Sequence, residues 1–369
     1  MLIAFLILFT VYAALVLSFW IGWRKTPFFM PAGADTPITF SLIIPARNEE
    51  ATIGKLLAAI ADQDYPSDRF EVIVVDDHST DSTAGIVKSF SNTRLLQLKD
   101  DEINSYKKKA LEQGIHAAGN EWIVTTDADC IPQQSWLSTL ASFIQQTNAV
   151  FVAAPVSMNA DSSILQAFQA IDFMILQGIT GASVEGKKLS MCNGANLAYR
   201  KEVFKEVNGF QGIDDIASGD DMLLMHKIWK RYPDRVRYLK SDRAIVSTEP
   251  MTTWRGFINQ RIRWASKATR YDDKLILPIL LLVYLFNLSF IVLAVAGFWH
   301  RDYWLWLAPG IVAKTIVELP FYITLSAFFR RNWPATLFLA FQPLHILYTV
   351  ISGLFGQFGK YEWKGRRVK

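Results

Sequence analysis

Twenty consecutive residues without a charge, Leu2 to Ile21, open the chain, and Trp23, Arg24 and Lys25 follow at once. About 20 apolar residues are what a helix needs to cross the hydrocarbon core of a bilayer. The stretch has neither a positive leading region nor a small-residue cleavage site, so residues 1–25 are expected to form a retained anchor. Basic residues favour the cytoplasmic side, which places Met1 outside. Leu275 to Trp299 repeats the pattern, with Asn287 as its one strongly polar side chain. Tyr303 to Phe329 forms a third such stretch. It holds Lys314 and Glu318 four residues apart on one helical face, where they form an internal ion pair that ties helices together or serve a substrate. A fourth, Trp333 to Phe358, is interrupted by Pro343 and His345. Four crossings from outside would leave the C-terminus outside. The tail over 359–369 is strongly basic and prefers the cytoplasm, so the Pro343 segment is expected not to be a simple crossing. The C-terminal membrane segments thus run over 275–358.

Hydrophobic residues make up 51% of the chain, and the excess is concentrated at its two ends. The net charge of +4 gives no global basic field, which argues against nucleic acid as a partner. Cys130 and Cys192 form no paired motif, so a zinc site is not expected and both read as plain buried thiols.

Residues 36–250 have the character of a soluble domain. Phe40 to Ile44 is an apolar run ending at Pro45, and a helical pattern covers Glu49 to Ala61. Glu71 to Val75 precedes Asp76 and Asp77, and a second helical stretch reaches Phe90. Arg94 to Leu98, Lys108 to Ala118 and Trp122 to Thr126 continue the alternation. Short β-branched strands alternating with helices predict an α/β domain with a mostly parallel sheet covered on both faces. Ligands of such sheets bind where strand C-termini open into loops. Arg47, Asn48 and Glu49 stand at the first such end, Asp76 and Asp77 at the second, Asp127 and Asp129 at the fourth. No glycine-rich dinucleotide or P-loop signature accompanies them.

Asp127 and Asp129 flank the small Ala128, and two close carboxylates suit a hard divalent cation that bridges a diphosphate. Asp76 or Asp77 suits a base N–H or ribose hydroxyls, while Ser79, Asp81 and Ser82 equally suit helix capping. Asp220 and Asp221 begin the apolar helical run Met222 to Met225. There a carboxylate serves either as a helix cap or as a general base toward an acceptor hydroxyl. The segment 251–274 is amphipathic. Trp254, Ile258, Ile262 and Ala265 fall on one face, and Gln260, Arg263, Trp264 and Lys267 on another, as in a helix lying in the membrane interface.

Taken in order, these residues resemble the family 2 glycosyltransferases, inverting enzymes with a GT-A type fold. The matched series runs Ile44 to Glu49, Val75 to Asp81, Lys107 with Ala110 to Gly114, Asp127 to Asp129, Asn193 to Asn196, Asp220 with Asp221, and Gln260 to Trp264. The resemblance implies that Pro45, Arg47, Glu49, Asp77, Lys107 and Asp127 hold the donor nucleotide. It implies that Asp129, with Asp127, takes Mg²⁺ or Mn²⁺, and that Asp221 is the base beside Asp220. Gln260, Arg263 and Trp264 match a QxxRW motif near the diphosphate and acceptor, and Gly194, Ala195 and Asn196 would shape the sugar pocket. The family usually has Glu-Asp where this chain has Asp220-Asp221, and Asn where it has Glu112. The expected enzyme moves a sugar from a nucleotide sugar to a hydroxyl or phosphate, with a lipid or glycan as acceptor. It sits in the cytoplasmic membrane with its catalytic domain in the cytoplasm. A processive polysaccharide synthase and an inactive nucleotide-sugar-binding protein are the alternatives. The sugar, the acceptor and the oligomeric state are not written in the sequence.

Overall fold

The structure, a computed structural model, describes residues 1–31, 36–98, 106–160, 163–213, 219–266, 273–358, 361–363 and 366–368. The chain divides into two compact units. One comprises Met1–Lys25, Ala160–Leu189 and Pro250–Tyr361; the other comprises Thr26–Asn159, Ser190–Glu249 and Glu362–Lys369.

The second unit is α/β. Its main sheet contains β1 (Phe40–Ala46), β2 (Phe70–Asp76), β3 (Thr93–Gln97), β4 (Trp122–Thr125), β6 (Phe151–Ala153), β8 (Leu197–Arg200) and β9 (Val236–Tyr238), in the order β3-β2-β1-β4-β8-β6-β9. All pairs are parallel except those that β8 makes with β4 and β6. A second sheet joins β5 (Cys130–Pro132), β7 (Val156–Met158) and β10 (Val246–Thr248) in the order β5-β10-β7. The central strands are buried on both faces, which is why they read as unbroken apolar runs rather than as alternation. Helices α2 (Ile53–Ala61), α3 (Thr83–Lys88), α4 (Tyr106–Ala117), α5 (Trp136–Thr147), α7 (Lys201–Glu206) and α8 (Asp220–Arg231) complete the unit. Helix α4 lies close on the sheet because Gly114 has no side chain. A Cβ there would stand 2.5 Å from Cγ2 of Ile43 and 3.2 Å from Cγ2 of Val75. The strand–helix alternation read from the sequence is realised within a few residues for the first four strands.

The first unit is helical: α1 (Leu2–Lys25), α6 (Ile164–Glu185), α9 (Trp254–Ala265), α10 (Ile276–Ala296), α11 (Leu307–Phe328), α12 (Ala335–Ala340) and α13 (Gln342–Phe358). Among the described residues, four of its helical stretches are long and apolar enough to cross a membrane: α1, α6, α10 and Arg301–Phe328. Helix α6 lies within the 36–250 stretch taken as one domain from the sequence, yet it clusters with the helical unit. It is largely buried, and its Gly22-facing Ala182 and its Gly178 bring α1 and α11 into close contact. Connectivity argues against α6 as a crossing. Phe151 of β6, before it, pairs with Tyr199 of β8, after it. One crossing between them would put two neighbours of one sheet on opposite sides of a bilayer.

Lys314 and Glu318 form the i,i+4 pair, Nζ to Oε1 at 2.7 Å. Tyr12 donates to Glu318, Lys314 donates to Gln342, and the Gln342 amide donates back to Glu318 at 2.7 Å. The charges are thereby spent on tying α1, α11 and the start of α13 together, as the cost of buried charge demands. Helix α13 buries Ile346, Val350 and Ser352 while Leu347, Leu354 and Phe355 are exposed on its other side. That is the two-faced pattern of a helix with protein on one side and an apolar medium on the other.

Candidate active site

The C-terminal ends of β1, β2 and β4 deliver the chemistry to one edge of the sheet. Ala46 is in register with Asp76, and Ile43 with Thr125, so Arg47, Asp77 and Asp127 all leave the sheet on the same side. The first two loops are laced together. Asn48 N–H donates to Ser79 Oγ at 2.9 Å, Thr80 N–H to Asn48 Oδ1 at 2.8 Å, and Glu49 N–H to Thr83 Oγ1 at 2.7 Å. Asp81 accepts from the backbone of Glu50 and from Thr83. Ser79 and Asp81 therefore serve the loops, while Asp76 and Asp77 are the buried carboxylates at the end of β2. The Arg47 guanidinium donates to the Asp77 carbonyl at 2.7 Å and stands 3.6 Å from its carboxylate, and Asp77 is buried. Pro45 closes β1 half-buried beside them, and the Glu49 carboxylate accepts from Thr52 at 2.9 Å.

Lys107, at the start of α4, joins two other ends of the site. Its Nζ lies 2.6 Å from Asp127 Oδ1, just past β4, and 3.5 Å from Asp220 Oδ2, at the start of α8. Burial alone would push this ammonium down; the carboxylates of Asp127, Asp220 and Asp221 outweigh it and push it up, so Lys107 stays charged. The turn into α8 is set by Gly219 at φ +80°, a conformation that glycine adopts without strain. Asp220 is buried; Asp221 is half-buried. Asp221 accepts from Gly194 N–H at 3.1 Å and from Met222 N–H at 2.7 Å, which fixes its carboxylate against the 193–196 loop. Thr125, a polar residue in an apolar strand, anchors that loop by donating to the Gly194 carbonyl at 3.1 Å.

The structure thus brings Lys107, Asp127, Gly194, Asp220 and Asp221 together, and pairs Arg47 with Asp77. Ala195 is buried in the same loop. Asn196 is fully buried, and its side chain is spent inward. It donates to the carbonyls of Pro155 and Ala244 at 2.8 Å each and accepts from Trp136 Nε1 at 2.9 Å. It braces the loop from beneath. Asp129 is half-buried beside Cys130, whose thiol is pushed well up by burial and by the neighbouring carboxylates. Among the described residues no three acidic, histidine or cysteine side chains cluster as metal ligands. The chemistry of the pair still fits a hard cation that takes one or two carboxylates and draws its other ligands from phosphate and water.

Gln260, Arg263 and Trp264 lie on α9, in the helical unit, and all three are half-buried. The fully buried residue of the motif is the one between them. Arg261 pairs with Asp172 of α6 at 2.7 Å and lies over the rings of Phe257 and Trp264, 4.9 and 4.2 Å from their centroids. It also donates to Gln260 Oε1 at 3.2 Å. Trp254, taken from the sequence as part of the apolar face, is 46% exposed, and Ile258 and Ile262 are half-buried. Lys267 lies outside the described residues.

A mostly parallel sheet with acidic residues gathered at its strand ends, and helices enough for a membrane, defines a GT-A type α/β protein with membrane-compatible segments. Residues 41–207 match the family model described as Glycosyl transferase family 2, and the chain carries a family 2 glycosyltransferase domain. It is 28% identical over 232 residues to "Probable glycosyltransferase YdaM" of Bacillus subtilis, covering 61% of this chain and 54% of that one. It is 26% identical over 227 residues to the poly-beta-1,6-N-acetyl-D-glucosamine synthase of Staphylococcus epidermidis, covering 61% and 53%. The chain thus spans about half the length of these relatives. The fold is that of the mannosyltransferase PcManGT from Pyrobaculum calidifontis, solved in complex with GDP-Man and Mn²⁺. The TM-score is 0.64 at 22% identity, over 96% of this chain and 99% of that one.

Proposed function

We propose that this protein is an inverting glycosyltransferase that transfers one sugar from a nucleoside-diphosphate sugar to a membrane lipid acceptor. The observation that carries the reading is the Lys107 bridge from Asp127 to Asp220, with Asp221 held beside Gly194. Arg47 and Asp77 bind the nucleoside. Lys107 meets the diphosphate. Asp221, more accessible than Asp220, takes the acceptor proton. The acceptor oxygen bonds to the anomeric carbon as the bond to the diphosphate breaks, and no covalent enzyme intermediate forms. Asp127 and Asp129 would hold Mg²⁺ or Mn²⁺, which when bound offsets charge on the departing diphosphate.

In this reading α1, α10 and α11 cross the cytoplasmic membrane and α6, α9, α12 and α13 do not. Three crossings from an outside N-terminus bring both the catalytic domain and the basic tail to the cytoplasm, beside Arg24, Lys25, Arg330 and Arg331.

The test is a panel of radiolabelled donors given to purified protein in native lipid extract with Mg²⁺ or Mn²⁺, beside Asp221→Asn. Label in the organic phase that the variant does not make is the expected result. Label in a large aqueous product would replace the reading with a processive synthase, and no turnover with any donor would replace it with a binding protein.

A further inference from the structure

Lys107 stands between carboxylates of two different elements. Its ammonium sits against one oxygen of Asp127, at 2.6 Å, and reaches Asp220 at 3.5 Å. Asp127 is the first carboxylate of the pair whose chemistry suits a hard cation, so the lysine stands where positive charge is wanted. Nor is it a surface side chain swinging freely. Its side chain is 23% exposed, and the 193–196 loop closes over it. A Cβ added to Gly194 would stand 3.5 Å from Nζ and 3.4 Å from Asp220 Oδ2. Three carboxylates, Asp127, Asp220 and Asp221, act on this one ammonium. Without it they would repel one another in a partly buried site.

We propose that Lys107 is the resident counter-cation of the ligand-free site, and that it gives up Asp127 only when a donor diphosphate arrives. This deepens the glycosyltransferase reading and rests on it. An ammonium on Asp127 and a divalent cation on the same carboxylate repel strongly at such range. The lysine therefore weakens cation binding until the diphosphate supplies new negative charge. At that point Lys107 turns its donors to the phosphate oxygens. Donor and cation then enter together, and an empty enzyme does not sequester metal. Asp220, buried beside the lysine, keeps it within reach throughout.

The measurement is Mn²⁺ affinity of the purified full-length protein in detergent, without nucleotide, read from the electron paramagnetic resonance signal of free Mn²⁺. The expected result is weak binding to the wild type and at least tenfold tighter binding to Lys107→Met, with the gain lost in Lys107→Met/Asp127→Asn. Lys107→Gln, which keeps a neutral donor for Asp127, takes the place of Lys107→Met if that variant does not fold. Equal or weaker Mn²⁺ affinity in a folded Lys107 variant overturns the proposal. Tighter binding that survives Asp127→Asn overturns it as well, because the gained site is then elsewhere. This result is independent of the donor panel, since it needs no transfer. A failed panel with a tenfold gain would leave the counter-cation standing and remove the transferase.

Discussion

The guanidinium of Arg261, on α9, meets the carboxylate of Asp172, on α6, at 2.7 Å, with both side chains almost wholly buried. Tyr348 of α13 donates to the other oxygen of Asp172, and His345 stands 4.0 Å from it. The pair thus pins three helices of the helical unit at one point, and the stacking of Arg261 on Trp264 extends the clamp into the QxxRW segment. Removing one partner leaves the other charge buried and alone, which costs about 3–5 kcal/mol. Asp172→Leu and Arg261→Leu are each expected to lower the unfolding temperature in detergent sharply. The double variant Asp172→Leu/Arg261→Met is expected to recover much of that loss. Arg261→Lys is expected not to rescue, because an ammonium lacks the flat face that lies over Trp264.

Asn196 carries a different kind of load. Its two donors and its carbonyl are all engaged, with Pro155, Ala244 and Trp136, at zero exposure. Asn196→Ala removes three hydrogen bonds and strands three buried partners, at a cost of about 3 kcal/mol. Thermal unfolding of the variant should show that loss. A fully active, fully stable variant would mean that the 193–196 loop needs no such brace.

These two contacts mark where the sequence stops being legible. The first four strands could be read because burial on both faces writes itself as an unbroken apolar run, and the acidic residues at their ends followed from that placement. Lys314 and Glu318 could be read because helix geometry alone brings residues four apart together. Asp172 and Arg261 are 89 positions apart, and no periodicity links them. The charge of Arg261 also hides it as a residue that α9 buries against protein, beside Phe257. Helix α6 was absorbed into the catalytic stretch because its apolar residues suit a domain core as well as a helical unit. Strands β5, β7 and β10, three residues each, are too short to carry a pattern.

The crossing pattern can be tested with the chain's own cysteines in place. Cys130 and Cys192 are both buried, so an introduced cysteine gives the accessible signal. The turn between α10 and α11 carries exposed Phe298, Trp299, Trp304 and Trp306, the aromatic composition of a membrane–water boundary. His300→Cys is expected to react with an impermeant maleimide from outside intact cells or right-side-out vesicles. Lys25→Cys is expected to react only after permeabilisation. The reverse result would invert the topology.

Lys240 makes stability depend on pH. It is buried where the chain returns beside Phe28, and its Nζ donates to the Thr26 carbonyl at 3.1 Å. Burial pushes its ammonium down to about 8. In the unfolded chain the same group titrates near about 10.4. Between those values the unfolded chain holds more protons than the folded one, so stability rises with pH across that window. Below it, the folded protein bears the cost of a buried charge, about 1–2 kcal/mol once solvent screening is allowed for. Lys240→Met is expected to be more stable than wild type at pH 7 and to match it more closely by pH 10. Equal pH slopes for the two proteins would assign no such role to Lys240.

Asp220 and Asp221 are adjacent in sequence yet differ in what they face, and this separates their expected effects. Asp221 is half-buried, with its carboxylate aligned by the N–H groups of Gly194 and Met222. Asp220 is buried and faces Lys107. If Asp221 is the base, Asp221→Asn removes the proton acceptor and, because an amide offers one acceptor oxygen where the carboxylate offers two, also gives up one of the N–H groups of Gly194 and Met222. Turnover should then fall about 10²–10⁴-fold while the dissociation constant for the nucleoside diphosphate stays within a fewfold of wild type. Asp220→Asn leaves the acceptor of the proton intact and instead removes one of the carboxylates that hold Lys107, so its effect should fall on nucleotide and Mn²⁺ binding before it falls on kcat. Isothermal titration with the nucleoside diphosphate, beside single-turnover rates at saturating donor, reads both quantities. Loss of binding in Asp221→Asn with kcat preserved, or loss of kcat alone in Asp220→Asn, would exchange the two roles and move the proton acceptor to the buried carboxylate.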